Sequence, residues 1–358
     1  MGVSAPGAAE AAGKGIDGPA RDRLAAYLGT VAGGRVEITA VARLAGGAIQ
    51  ENWGIDLVVD GGPMAGPQAL VLRCSAAAEI EDSHPRGHEF ALLKAVFAAG
   101  VTVPEPLWFR ADADVIGRPF MVMRRVSGIA IGQKIVRDSR YDGLRDALAE
   151  RLGRELALIH DLRPGHPGLD FLGPPPDDPA RAAIDAYRAY LDRHPRPRPA
   201  LEWGLRWVER DAPTPPPEIV LCHRDFRTGN YLVDENAPGA GGLGAILDWE
   251  FAGWGDPIED LAWFCAKCWR FGANRREAGG IARRARFVAA YEAVSGRAVE
   301  AARFRFWEVM AHVRWAVIAL KQAERHLSGR EPSLELAAIG RRVPEMEYEI
   351  LRLTGASR

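Results

Sequence analysis

The sequence predicts an α+β chain in two lobes, a small antiparallel sheet followed by a larger, mainly helical part. Three observations predict it. β-type runs concentrate before residue 126, and apolar residues recur at helical spacing from residue 141 onward. A polar loop flanked by short apolar runs then interrupts the helical part over 219–250. The 358 residues suffice for one such unit. The expected limits are a disordered tail over 1–20, the sheet lobe over 21–125 and the helical lobe over 126–358.

Composition removes several function classes. A net charge of −1 lacks the basic footprint that nucleic-acid binding needs. No apolar run approaches the ~18 residues of a membrane span, and no basic stretch leads into an apolar core as in a secretory signal. Four cysteines are no disulfide framework and fit a reducing, cytoplasmic setting. Cys265 and Cys268 have zinc-like spacing but no second pair, so they read as buried thiols on a helix.

Residues 1–19 are rich in small residues and lack apolar periodicity, while Asp22–Ala32 is a short candidate helix. Val36–Leu44, Asn52–Asp60 and Ala69–Cys74 read as strands. Gly46 and Gly47 lie in the first junction, where backbone N–H groups could approach a phosphate closely. A plain hairpin turn explains the pair equally well. Arg73 ends the third strand, and Arg86–Ala99 reads as a helix with Phe90, Leu93 and Phe97 apolar. Glu89, near its start, is the natural ion partner of Arg73; a surface ion pair is the bland version of that contact. His88-Glu89 does not begin a zinc-protease helix, because position 92 is Leu.

Leu107–Arg110 and Arg118–Val126 complete the strands after a Pro-bounded connector over 100–106. Tyr141–Leu162 then repeats leucines at helical spacing, with His160 as a satisfied histidine at its end. Ala180–Arg193 and Ala200–Arg210 are further helices. Arg275–Arg358 reads as three more, with Trp307, Trp315, Leu336 and Met346 on apolar faces.

Chemistry concentrates in the interruption. Ile219–Cys222 and Tyr231–Val233 flank a loop that reads His223-Arg224-Asp225 and places Asn230 five residues after the aspartate. Ala245–Leu247 runs into Asp248. This is the H-R-D-x-x-x-x-N pattern of kinase catalytic loops, followed by an aspartate at a strand end. Phosphoryl transfer needs a carboxylate to orient a hydroxyl and take its proton, a role that suits Asp225. It also needs hard oxygen donors for Mg²⁺, and Asn230 and Asp248 supply two. Asp and Asn are also ordinary turn residues, so the joint spacing carries the signal rather than any single position. Asp256-Pro257 has the form of a helix N-cap.

Cys222–Asn230, Ile246–Glu250 and Gly255–Leu261 together resemble the aminoglycoside phosphotransferase (choline-kinase-like) family. Within it, the resemblance is to the branch that includes kinase-like domains fused to acyl-CoA dehydrogenases. It runs from about Val41 to the C-terminal helices. It implies a two-lobed protein-kinase-like fold and phosphorylation of a small-molecule hydroxyl by ATP, with GTP as the alternative donor, and Mg²⁺. It further implies that Gly46 and Gly47 cover phosphates and that Arg73, paired with Glu89, takes the place of the usual phosphate-binding Lys. By the same resemblance, Met123 lines the adenine pocket, backbone groups of Arg124 and Val126 meet the purine edge, and Asp260 holds the catalytic loop from behind. Arg keeps a fixed charge and a planar fork where Lys would be a compact point charge, so the substitution alters reach.

The C-terminal helices carry Arg283, Arg284, Arg286, Arg303, Arg305 and Arg314. A polycationic antibiotic would want an acidic pocket, which these do not provide. Solvated helix faces account for most of them, and an anionic acceptor for one or two. Two other classes stand beside the active kinase: a nucleotide-binding pseudokinase or regulatory module without turnover, and an unrelated hydrolase. Against the last, the chain has no G-x-S-x-G elbow and no complete P-loop.

Overall fold

The computed structural model describes residues 16, 18–44, 51–74, 83–216, 218–237 and 241–355. They form two compact units, one from residues up to 90 together with 105–125, the other from 91–104 together with 126 onward.

The first unit holds α1 (Gly18–Ala32), β1 (Arg35–Arg43), β2 (Asn52–Asp60), β3 (Gly66–Cys74), β4 (Pro106–Arg110) and β5 (Phe120–Arg124); α2 (Arg86–Ala98) starts in it. The strands make one antiparallel sheet in the order β1-β2-β3-β5-β4. Alternation decides which face is covered: Ile55, Leu57 and Val59 of β2 and Leu70 and Leu72 of β3 are buried with Leu24 and Leu28 of α1. Ile16 joins this core, and the helix begins at Gly18, inside the span expected to be tail. In α2 the buried apolar positions are Leu92, Leu93, Ala95 and Val96, whereas Phe97 is exposed.

The second unit holds α3 (Gly132–Arg137), α4 (Arg145–Ile159), α5 (Pro179–Arg193), α6 (Pro199–Arg210), β6 (Val220–Cys222), β7 (Tyr231–Val233), β8 (Leu243–Ile246) and β9 (Gly253–Gly255). It continues with α7 (Pro257–Cys265), α8 (Arg284–Ser295), α9 (Ala301–Leu327), α10 (Leu334–Gly340) and α11 (Val343–Thr354). The long α9 is the axis, with α6, α7, α10 and α11 packed on it. Residues 91–104, expected with the sheet, belong here because the Thr102 N–H and hydroxyl both bond the buried Glu155 carboxylate at 2.7 Å. The loop of interest rides on two short ribbons, β6 with β9 and β7 with β8.

Several boundaries differ from expectation for local reasons. The expected 141–162 helix begins only at Arg145, whose guanidinium turns back to bond Ile135 O and Asp138 O. The C-terminal region has four helices, because Gly296 and Gly329 take left-handed backbone (φ 69° and 74°) and Pro344 starts α11. The strand Gly253–Gly255 had no sequence signal, since two of its three residues are glycine. Among the described residues, no helix is long and apolar enough to cross a membrane.

Helices α4 and α8 approach closely at Gly153, where a Cβ would lie 2.5 Å from Phe287 O and 3.1 Å from Tyr291 N. The clash is with backbone, so neither helix can yield cheaply. Gly153→Ala is therefore expected to cost about 1–3 kcal/mol, read as a lower urea midpoint; an unchanged midpoint would contradict this packing.

Candidate active site

The loop between β6 and β7 is held by one buried carboxylate. Asp256 N-caps α7, accepting the Ile258 N–H at 2.9 Å, and so fixes the first turn from which Asp260 projects. Asp260 accepts the backbone N–H of His223 at 2.6 Å on one oxygen and that of Arg224 at 2.7 Å on the other. It is fully buried. Burial alone would push its carboxyl up, but donors, led by His160, hold it below the usual aspartate value.

These bonds support an uncommon backbone. Arg224 has φ 63° and Asp248 has φ 68°, left-handed values that non-glycine residues rarely adopt. Gly253 makes room for the Arg224 guanidinium, which a Cβ there would approach to 2.7 Å. His223 ties the two segments together. Its Nδ1 accepts the Asp225 N–H at 3.2 Å, which leaves the ring proton on Nε2, 2.9 Å from Leu247 O. Its ring also packs on buried Trp249, centroid to centroid 4.5 Å.

The Asp225 carboxylate is crowded with donors. Oδ1 takes the Trp263 indole N–H at 3.1 Å and Oδ2 the Asn230 amide at 2.6 Å, while Arg227 Nε lies 3.1 Å from each oxygen. Asn230 Nδ2 also reaches Asp225 O at 3.0 Å. Two acceptors on that side fix the amide orientation, so Asn230 Oδ1 is the atom left for a cation. Asp248 follows directly. β7 and β8 pair with Tyr231 opposite Ile246, and the ladder continues as Leu247 N–H to Asn230 O at 2.8 Å. The backbone thus sets residue 248 one step beyond Asn230. A carboxylate and an amide oxygen are the hard donors that Mg²⁺ takes, so these residues fit that ion.

A small cavity lined by Tyr187, Trp263, Trp307, Met310, Glu259 and Arg314 adjoins Asp225 through Trp263. The Arg314 guanidinium lies 4.6 Å from the Trp263 ring centroid and 3.2 Å from the Glu259 carboxylate. Burial pushes the Glu259 carboxyl up, against the pull of Arg224 and Arg314. Among the arginines of the last helices, Arg303 and Arg314 sit in largely buried pairs with Asp256 and Glu259, whereas Arg283, Arg286 and Arg305 lie on exposed helix faces, Arg286 with Glu150 as its ion partner.

In the first unit, Arg73 pairs with Glu89 at 3.0 Å, with side-chain exposures of 9% and 1% that rule out a surface contact. Arg86 binds the other Glu89 oxygen and Cys74 O. Met123 is buried on β5 opposite Val71, and Val126 is half-buried. The Arg124 N–H is bonded to Glu105 O at 2.9 Å, which leaves only its carbonyl for a purine edge. Gly46 and Gly47 lie outside the described residues.

All four cysteines are reduced and buried. Cys265 ends α7 and Cys268 lies in the following 3₁₀ turn, and burial pushes both thiols up. Ligand atoms of His160, Cys222 and Asp260 lie within 4.8 Å of one another. Hydrogen bonds already account for them: the Cys222 thiol, held protonated by burial, faces Asp256 O at 3.4 Å, and His160 bonds Asp260.

Trp263, Arg227 and the His160–Asp260 bond went unread in the sequence. Trp263 had a usable signal, because it lies three residues after Asp260 on one helix and so shares its face. Arg227, two residues past Asp225, had only proximity.

The chain matches the Phosphotransferase enzyme family (APH) over residues 41–303. It is 32% identical over 202 residues to acyl-CoA dehydrogenase family member 11 of Rattus norvegicus, covering 55% of this chain and 25% of that protein. It thus spans about a quarter of the length of that relative. A putative aminoglycoside phosphotransferase from Ralstonia eutropha superposes with TM-score 0.74 at 22% identity, covering 94% of this chain and 99% of the other. A thermostable mutant of aminoglycoside phosphotransferase APH(4)-Ia, in ternary complex with ADP and hygromycin B, gives TM-score 0.58 at 16% identity, covering 93% and 98%. Such identities speak to the fold, which is the protein-kinase-like one with its five-stranded antiparallel sheet. By the family match, which takes in β2 to β5 of the sheet, the loop at 222–230 and Asp248, this chain is a member of the Phosphotransferase enzyme family.

Proposed function

We propose that the protein transfers the terminal phosphoryl group of ATP, with GTP as the alternative donor, to a hydroxyl of a small molecule. The observation that carries this is the Asp225 carboxylate, oriented by Trp263 and Asn230, with Asp248 set one ladder step from Asn230. Asp225 orients the acceptor hydroxyl and takes its proton. Asn230 and Asp248 hold Mg²⁺, which when bound neutralises phosphate charge. Nucleotide phosphates are assigned to Arg73, kept in place by Glu89, and to Gly46 and Gly47; the purine is assigned to Met123, the Arg124 carbonyl and the Val126 backbone. The ADP-bound relative supports a nucleotide as donor. Four reduced cysteines support a cytoplasmic setting.

Arg227 has a part in this scheme. Each Asp225 oxygen already faces two donors, so an incoming hydroxyl must displace one. Trp263 and Asn230 are 2% and 4% exposed and held in packing. Arg227 is the movable donor, at 26% side-chain exposure and stacked 4.6 Å from the Trp269 centroid. Released from Asp225, its guanidinium meets the phosphoryl group in transfer, where negative charge is concentrated. The surroundings of Asp225 are not suited to a polycation, because Arg314 already covers the Trp263 face. Neutral or anionic hydroxyl compounds fit better. The alternative, a nucleotide-binding module without turnover, draws on the same crowding of Asp225; it predicts nucleotide binding with no ADP release across all acceptors.

A coupled assay of ADP release across sugars, amino alcohols and hydroxy acids tests the reading. Asp225→Ala is expected to lower kcat by about 10²–10⁴-fold with nucleotide affinity nearly intact, while Asp248→Ala also weakens Mg²⁺-dependent nucleotide binding. Wild-type turnover in Asp225→Ala would end the proposal. Arg227→Ala is expected to reduce kcat by about 10²–10³-fold with little change in acceptor KM, and Arg227→Lys to recover part of the loss. Full activity in Arg227→Ala would remove this residue from the scheme.

A further inference from the structure

We propose that the acceptor of the phosphoryl group carries an anionic group, a carboxylate or a phosphate, which the indole N–H groups of Trp269 and Trp315 bind beside the Arg342 guanidinium. The proposal deepens the kinase reading and rests on Asp225 as the base.

Three tryptophans run away from Asp225 in a row. Trp263 of α7 donates to Asp225 Oδ1 at 3.1 Å. Trp269, in the 3₁₀ turn after α7, has its ring centroid 5.3 Å from that of Trp263. Trp315 of α9 follows, 5.9 Å from Trp269. Each ring carries an arginine. Arg314 lies 4.6 Å from the Trp263 centroid, Arg227 4.6 Å from that of Trp269, and Arg342 5.1 Å from that of Trp315.

The donors on this row are unequally used. The Trp263 indole N–H is spent on Asp225, whereas the Nε1 atoms of Trp269 and Trp315 are buried without a hydrogen-bond partner among the described residues. A buried donor left unmade is destabilising, so a pair of them beside a reaction centre points to a ligand atom that completes them. Indole nitrogen donates and cannot accept. An ammonium therefore finds nothing here, and an oxyanion finds two donors. Trp53 and Trp249 also keep unpartnered indoles, but Trp53 belongs to the first unit and Trp249 packs against His223.

Charge at this end of the row has the matching sign. The leading charges that bear on the Cys268 thiol, next in sequence to Trp269, are Arg342, Arg227 and Arg270. Arg270 is held by Cys265 O and Glu308, and Arg227 by Asp225. Arg314, at the other end, is paired with the largely buried Glu259. Arg342 has an exposed partner, Glu345 at 3.1 Å, with side-chain exposures of 39% and 58%. Water screens such a pair, so the guanidinium keeps most of its pull on an incoming anion. The acceptor is thus bifunctional, its hydroxyl at Asp225 and its anion one or two rings away, with several bonds between them.

The test titrates hydroxy acids of increasing chain length, their primary amides, sugar phosphates and the parent sugars into the full chain without nucleotide, by calorimetry. The same compounds are then assayed for ADP release from Mg²⁺-ATP. An anionic member is expected to bind about tenfold or more tighter than its neutral counterpart, as a bond to a charged group implies; the better of acid and phosphate identifies the anion. Trp269→Phe and Trp315→Phe keep a ring and remove the N–H, and each is expected to cut the preference for anion over neutral counterpart about tenfold. Arg342→Gln is expected to cut it as well, and Arg342→Lys to restore part. Neutral compounds that bind as tightly as their anions, or a preference that survives in all three of the Phe and Gln variants, overturn the proposal. Should Trp315→Phe fail to fold, Trp269→Phe and Arg342→Gln decide. Selective anion binding with no phosphorylation of any compound would sink the kinase reading and leave the anion site standing. Turnover of neutral compounds with no preference for anions would do the reverse.

Discussion

Most of the candidate site hangs on the bond from Asp260 to two successive amides. A buried carboxylate that accepts two backbone N–H groups is strongly oriented, because leaving either donor unsatisfied in the interior costs about 1–3 kcal/mol. The two amides belong to His223 and Arg224, so the bond fixes the peptide plane that leads into Asp225. It also stabilises a left-handed arginine that would otherwise relax. Sited on α7 rather than in the loop, Asp260 supplies rigidity that the eight residues between β6 and β7 could not generate alone.

From that anchor the contacts run outward in order. His223 carries the constraint to Leu247 and so to the strand end where Asp248 sits. Trp263, one turn along the same helix as Asp260, reaches Asp225 with its indole N–H. One short helix therefore aims both the backbone before Asp225 and the Asp225 carboxylate itself. Asp256 begins that helix and is gripped by Trp307 and Arg303 of α9. The axis of the helical unit thereby acts on the loop through α7.

Much of this was legible in the chain. The H-R-D-x-x-x-x-N spacing marks a loop whose aspartate and asparagine must meet, and they do, with Asn230 bonded to Asp225. Asp256-Pro257 read as a cap, and it is one. The Arg73–Glu89 pair was likewise readable from a strand end and a helix start. What could not be read was tertiary. Gly253–Gly255 becomes a strand only because β6 offers it a partner. His160 and Tyr291 lie 131 residues apart and meet because Gly153 lets two helices close on one another. Phe97, apolar at a periodic position, is exposed because the buried face of its helix is set by Leu92, Leu93 and Val96.

The central claim is chemical: a phosphoryl group passes from nucleotide to hydroxyl at Asp225. Phosphorus NMR of the purified protein with Mg²⁺-ATP and a mixture of neutral and anionic hydroxyl compounds measures it most directly. The account predicts that the γ-phosphate resonance declines while a phosphomonoester resonance grows, and only with magnesium present. ATP that stays intact, or that yields inorganic phosphate alone, would contradict it.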